Sequence, residues 1–149
     1  MVILAAIADL DRSEQVVRIA YDLAERYDDT LVALHVVPQE DYDEHKRAIE
    51  RLPDFTDFSL TQEAESAESF ARQFVAGTLD SYDEERVDAR GRVGHVATEI
   101  LGEAERIDPR FLVISGRRRS PTGKVIFGNT AQEILLGADC PVVTKLTDD

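Results

Sequence analysis

The sequence predicts an α/β fold, an open five-stranded parallel sheet with helices on both faces. Three observations predict it. Five short apolar runs alternate with segments of helical periodicity in the order βαβαβαβαβ. The connections between successive runs are too long for hairpins, so the strands run parallel. The 149 residues, 43% of them hydrophobic, suit one domain with its own core.

The first strand is Ile3–Ala8, within an N-terminal apolar run that has no basic flank and no small-residue cleavage site. It therefore reads as a strand and not a secretory leader, and a cytoplasmic location is expected. Arg12–Tyr27 follows with Val16, Ala20, Leu23 and Tyr27 at helical spacing beside Val17 and Ala24, and Asp11–Glu14 fits a capping box. Thr30–Val37 is a second strand, closed by Pro38, which cannot continue a ladder. Residues 38–60 carry charges, two prolines and three aromatics, and predict a variable loop insertion with a helical turn around His45–Leu52.

Ser59-Leu60-Thr61-Gln62 then caps a helix reaching about Tyr82, with Ala67, Phe70, Ala71, Phe74 and Val75 inward. Val87–Val93 is a strand, Val96–Ile107 a helix, Phe111–Ser115 a strand, Thr130–Ala138 the last helix and Pro141–Leu146 the last strand. Right-handed crossovers bring every strand-to-helix loop to one edge of the sheet, where ligands of such folds bind.

Composition narrows the function. Asp and Glu number 30 against 17 Lys and Arg, for a formal net charge of −13, which excludes a large basic face for nucleic acid. No apolar run approaches the ~20 residues of a membrane span, so neither membrane nor nucleic acid is expected as a partner. Cys140 is the lone cysteine and excludes a disulfide scaffold. Lysine occurs only at Lys46, Lys124 and Lys145, and excess carboxylate with little lysine suits hydration in concentrated salt, as in a halophile.

The chemistry gathers in Ser115–Thr130. A strand enters a Gly- and Arg-rich stretch, Ser115-Gly116-Arg117-Arg118-Arg119, and the segment ends at Gly128-Asn129-Thr130 and a helix N-terminus. Free N–H groups, the helix dipole and guanidinium forks all suit phosphate; the alternative is that Arg117–Arg119 only pair with the many carboxylates. Asn129 can serve as N-cap with Gln132 alone, or as cap and ligand contact together. Gly123-Lys124 is not a P-loop, because Gly116 is two residues too far away and Val125 replaces the magnesium-binding hydroxyl. Gly91-Arg92-Val93-Gly94 lacks the third glycine of a dinucleotide fingerprint. A response-regulator receiver fails too, because Gly94 and His95 stand where its phosphoacceptor Asp belongs. His35, His45 and His95 show no spacing that groups them as metal ligands.

At these residues the chain resembles the universal stress protein family, nearly end to end. The resemblance rests on Ile3-Leu4-Ala5-Ala6-Ile7 with Ser13-Glu14, on Leu34-His35-Val36-Val37, and on Gly94 before Ile100. It continues through Ser115-Gly116-Arg117, Gly128-Asn129-Thr130 and Ala138-Asp139-Cys140-Pro141-Val142-Val143. It implies a Rossmann-like sheet and a stress-response protein that binds ATP or a related adenine nucleotide, with Mg2+ as a possible companion. It also implies a homodimer built through the last strand, at Val142, Val143, Thr144 and Lys145.

On that resemblance Ala8, Asp9, Val36 and Val37 would meet adenine and ribose, and Ser115, Gly116, Arg117, Arg118, Arg119, Gly128, Asn129 and Thr130 the phosphates. Counted back from Gly128, the family's glycine motif finds Ser115 and Arg118 at its first two glycines, unless Gly116 serves as the first with a loop one residue shorter, and its Ser/Thr is Asn129. The family's Asp at the end of the first strand aligns with Ala8, with Asp9 one place later. No residue is placed to activate water, so at most slow ATP hydrolysis is expected. The alternative function is a homodimeric interaction module of the same fold that has lost the nucleotide.

Overall fold

The computed structural model describes residues 1–8, 11–51, 59–118 and 128–148. Its strands are β1 (Val2–Ile7), β2 (Thr30–Pro38), β3 (Val87–Gly94), β4 (Phe111–Arg118) and β5 (Val142–Asp148). Its helices are α1 (Arg12–Tyr27), α2 (Gln39–Glu50), α3 (Leu60–Thr78), α4 (Val96–Ile107) and α5 (Asn129–Gly137). All strand pairs are parallel, in the order β3-β2-β1-β4-β5. The expected α/β sheet is therefore present, with β1 at its centre.

β1 is central because its side chains are apolar on both faces: Ile3, Leu4 and Ala5 are fully buried. Leu4, Val32, Leu34, Leu112 and Ile114 turn to one face, under Ile100 of α4 and Ile134 of α5. Ile3, Ala5, Leu31 and Val113 turn to the other, under Val16, Ala20 and Ala24 of α1. Beside them α3 lays Ala71 and Val75 on Ala33 and Ala89. Alanines at these contacts let helix and sheet approach closely. The approach is tightest at Gly91 of β3, where a Cβ would overlap the Ala64 carbonyl oxygen and the Glu68 nitrogen and stand 2.7 Å from the Ala67 Cβ.

Several boundaries differ from the sequence reading. Residues 39–50 form a full helix instead of a loop with a turn at His45–Leu52. Among the described side chains of this polar segment only Tyr42 is buried, so no apolar stripe announced it. α3 ends at Thr78, short of Tyr82, which instead packs edge-on against Tyr21 at 6.2 Å. Tyr27 is not a core residue: it lies half-exposed against Phe111, with the Arg110 guanidinium 4.3 Å from its ring centre. The Asp11 capping box is absent, because Asp11 is itself in the helical region and makes no side-chain cap.

The Ser59 box is present as expected. Ser59 Oγ accepts from the Gln62 N–H at 3.2 Å, and Gln62 Oε1 accepts from the Ser59 N–H at 3.1 Å. Ser59→Ala leaves one helix donor unsatisfied and is expected to cost about 1 kcal/mol, read as a lower urea midpoint with unchanged slope.

Candidate functional site

The chain leaves β1 for β2 and β3 on one side and reaches β4 and β5 on the other, so the switch point lies beside the carboxyl end of β1. The turn after β1 is pinned there by Ser13, fully buried, whose Oγ accepts the Ala8 N–H at 2.9 Å. A second pin is His35 of β2. Its Nδ1 lies 2.8 Å from the Ile7 carbonyl oxygen, which can only accept, so Nδ1 carries the proton. The ring packs 4.4 Å from that of Phe70.

Between these pins and the start of α4 lies a cavity of about 340 Å3. Its apolar lining is Ala8, Leu34, Val36, Val37, Val96 and Ile100, and its polar lining is His35 with Asp41 and His45 of α2. The structure thus gathers Ala8, Val36 and Val37 at one place, as the sequence suggested. Asp9 lies outside the described residues.

On the other side of β1, β4 is longer than expected. Gly116, Arg117 and Arg118 were read as the start of a loop, yet they continue the strand, paired with Leu146, Thr147 and Asp148 of β5. Ser115 sits opposite Lys145. The ladder with β5 continues the strand here although glycine and arginine have low strand preference. Arg117 is half-buried. Arg119 lies outside the described residues.

α5 begins after Gly128, which holds extended backbone at φ −64° and ψ 160°. Asn129 is the first helical residue and not the cap, and among the described residues no side chain caps this end. The box with Gln132 is therefore absent: the Gln132 N–H goes to the Gly128 carbonyl at 3.0 Å. The N–H groups of Asn129, Thr130 and Ala131 precede the first intrahelical bond and form a donor cluster at the positive end of the helix. α5 is tied to the start of α4 by His95 Nε2 and Glu133 Oε2, 2.9 Å apart.

Sequence reasoning missed Asp41 and His45. Their spacing of four, which puts both on one helical face, was the available signal, hidden because the segment was read as a loop. Cys140 is half-buried, and burial pushes its thiol above the ordinary value, as suits a packed residue and not a nucleophile. Among the described residues no three His, Cys, Asp or Glu side chains converge to hold a metal, and no helix is long and apolar enough to cross a membrane.

Comparison with known proteins follows the same line. The sequence model of the universal stress protein family matches residues 1–144. No curated protein sequence matches the chain. Among solved structures, a universal stress protein from Archaeoglobus fulgidus is 26% identical, with 97% of each chain covered and a TM-score of 0.61. A universal stress protein from Archaeoglobus fulgidus in complex with dAMP is 20% identical, covering 97% of this chain and 96% of that one, with a TM-score of 0.52. A universal stress protein in complex with cAMP is 11% identical, covering 99% and 97%, with a TM-score of 0.62.

Proposed function

Because the chain belongs to the universal stress protein family, we propose that it binds ATP or a related adenine nucleotide at the carboxyl edge of its sheet and holds it without turning it over. The observation that carries this reading is the pairing of two features on that edge. One is the apolar cavity at the ends of β1 and β2; the other is the uncapped helix terminus that follows β4. β2 and β4 flank β1, so their ends are separated by two strand spacings, about 10 Å. That is comparable to the separation of base and phosphates in one nucleotide.

In this reading Ala8, Asp9, Val36 and Val37 meet base and sugar. Ser115, Gly116, Arg117, Arg118 and Arg119 approach the phosphates together with the N–H groups of Gly128, Asn129 and Thr130. Mg2+ would accompany a triphosphate. The dAMP and cAMP complexes of two proteins with the same fold support an adenine ligand. A stress-response role follows from the family. The reading also makes the protein a homodimer through β5, whose outer edge has no strand beside it among the described residues. Val142 and Val143 already pack onto the two faces of the sheet, so the backbone edge, with Thr144 and Lys145, would supply most of that contact.

Calorimetric titration of the purified protein with ATP and AMP, with Mg2+ and in high salt, tests the reading. Saturable binding is expected. Gly128→Val is expected to weaken ATP binding about tenfold or more, with a loss of folding stability of at most about 1 kcal/mol from the poorer helix cap. The backbone at Gly128 accepts any residue, and a Cβ there meets no described atom within 4 Å, yet the branched side chain crowds the helix donors. Absence of binding, with no nucleotide released on denaturation, would overturn the reading. It would favour the homodimeric interaction module, for which Ser115 and Arg118 in place of the family's glycines already speak.

A further inference from the structure

We infer that Asp41, supported by His45, reads the exocyclic amino group of the bound base and makes the site select adenine over a 6-oxo purine. The inference rests on the nucleotide reading above and adds to it the groups that choose the base. The cavity at the ends of β1 and β2 is apolar on most of its wall, and two of its polar lining residues come from α2. Asp41 and His45 are four apart in Gln39–Glu50, so they share one face of the helix.

That face is held in place. Tyr42 is buried beside it, and His45 Nδ1 lies 2.8 Å from Oε1 of Glu63, a carboxylate that is itself buried on α3. A carboxylate accepts, so the His45 ring donates from Nδ1 to Glu63 and is fixed in place beside Asp41. Asp41 has no hydrogen-bond or ion-pair partner among the described residues. An ionised carboxylate only accepts as well. An unpaired carboxylate acceptor at the rim of an apolar cavity favours a ligand that brings N–H donors and penalises one that brings lone pairs.

Strand order decides which part of the nucleotide meets them. The helix donors that suit phosphate follow β4, β1 lies between, and α2 follows directly on β2. Phosphate at the β2 end would face the Asp41 charge. The base belongs there, and adenine presents an amino group where hypoxanthine presents a carbonyl oxygen. A carboxylate thereby supplies from α2 a recognition group that Ala8 does not provide at the end of β1.

The test is calorimetric titration of the full chain and of its Asp41→Ala and Asp41→Asn variants with ATP and with ITP. The side chain is exposed on a helix surface, and unchanged circular dichroism melts verify that the variants fold. The unaltered protein is expected to bind ATP about tenfold or more tighter than ITP, as for a hydrogen bond to a charged group. Asp41→Ala should bring the two nucleotides to nearly equal affinity. Asp41→Asn, whose amide can donate to the 6-oxo group, should favour ITP relative to the unaltered protein. If the unaltered protein binds ATP and ITP alike, or if Asp41→Ala keeps the preference, the inference is overturned and the nucleotide reading stands. If it binds neither nucleotide, both fail.

Discussion

Gly91→Ala is expected to cost about 3 kcal/mol or more of folding stability, the upper range for overpacking a filled core. The added methyl overlaps backbone atoms of Ala64 and Glu68, which cannot swing aside as a side-chain tip would. α3 would have to lift from β3, loosening Ala67, Ala71 and Val75, all buried. Urea unfolding followed by circular dichroism measures the loss directly. Gly77→Ala is the control, because no described atom lies within 4 Å of a Cβ built at Gly77 and alanine is the better helix former. A Gly91→Ala protein as stable as the parent would mean that α3 does not seat on the sheet as described.

The second large effect concerns Glu103 of α4. Its side chain is fully buried, yet its carboxylate binds Arg90 and Arg92 of β3 and Arg106 of its own helix, the last two at 3.1 and 2.6 Å. Burial pushes this carboxyl up, but hydrogen bonds from Arg106 and Arg90 and the charge of Arg92 outweigh it, and the group titrates below the usual carboxylate range. Glu103→Gln removes the anion and leaves three guanidinium groups facing one another. A fully buried pair broken in this way costs ~3–5 kcal/mol. Here the arginine side chains are 33, 38 and 55% exposed and keep part of their hydration, so about 2 kcal/mol is expected.

The pH dependence has a definite sign. A carboxyl depressed on folding stabilises the protein above its unfolded pKa of about 4, and that contribution disappears as pH falls through the lower folded value. Asp29 adds to the same window, because the hydrogen bond from Arg110 lowers its pKa despite its burial. The parent should therefore lose stability between about pH 5 and pH 2, and the gap to Glu103→Gln should close over that range. A gap that stays constant with pH would show that Glu103 acts by packing alone.

The layout of the sheet was legible because periodicity and length suffice for it. Arg12–Tyr27 and Val96–Ile107 carry apolar stripes, and their observed limits match the sequence reading. α2 was not legible, because it packs through the single buried ring of Tyr42 at the sheet edge and needs no stripe. β4 was read too short for a related reason. Gly116–Arg118 is held by backbone pairing with β5, and a ladder partner far along the chain leaves no trace in local composition.

The candidate site was legible in part. Ala8, Val36 and Val37 line one cavity because strand ends must meet at the carboxyl edge of a parallel sheet. Asp41 and His45 depended on the missed helix and were lost with it. Asn129 was misread because a cap is decided by one residue's backbone angles, and Gly128 adopts them instead.

The central place of β1 also bears on how the chain is made. β1, β2 and β3 all lie within the first 94 residues, whereas Ile3 pairs with Phe111 and Leu112 with Val142. A nascent chain leaving the ribosome can zip three strands together while the other edge of β1 stays bare until β4 emerges. Throughout that interval the most apolar strand of the protein presents unpaired N–H and C=O groups to whatever passes. The time between the emergence of β3 and that of β4 thus sets how long the half-built sheet stays adhesive.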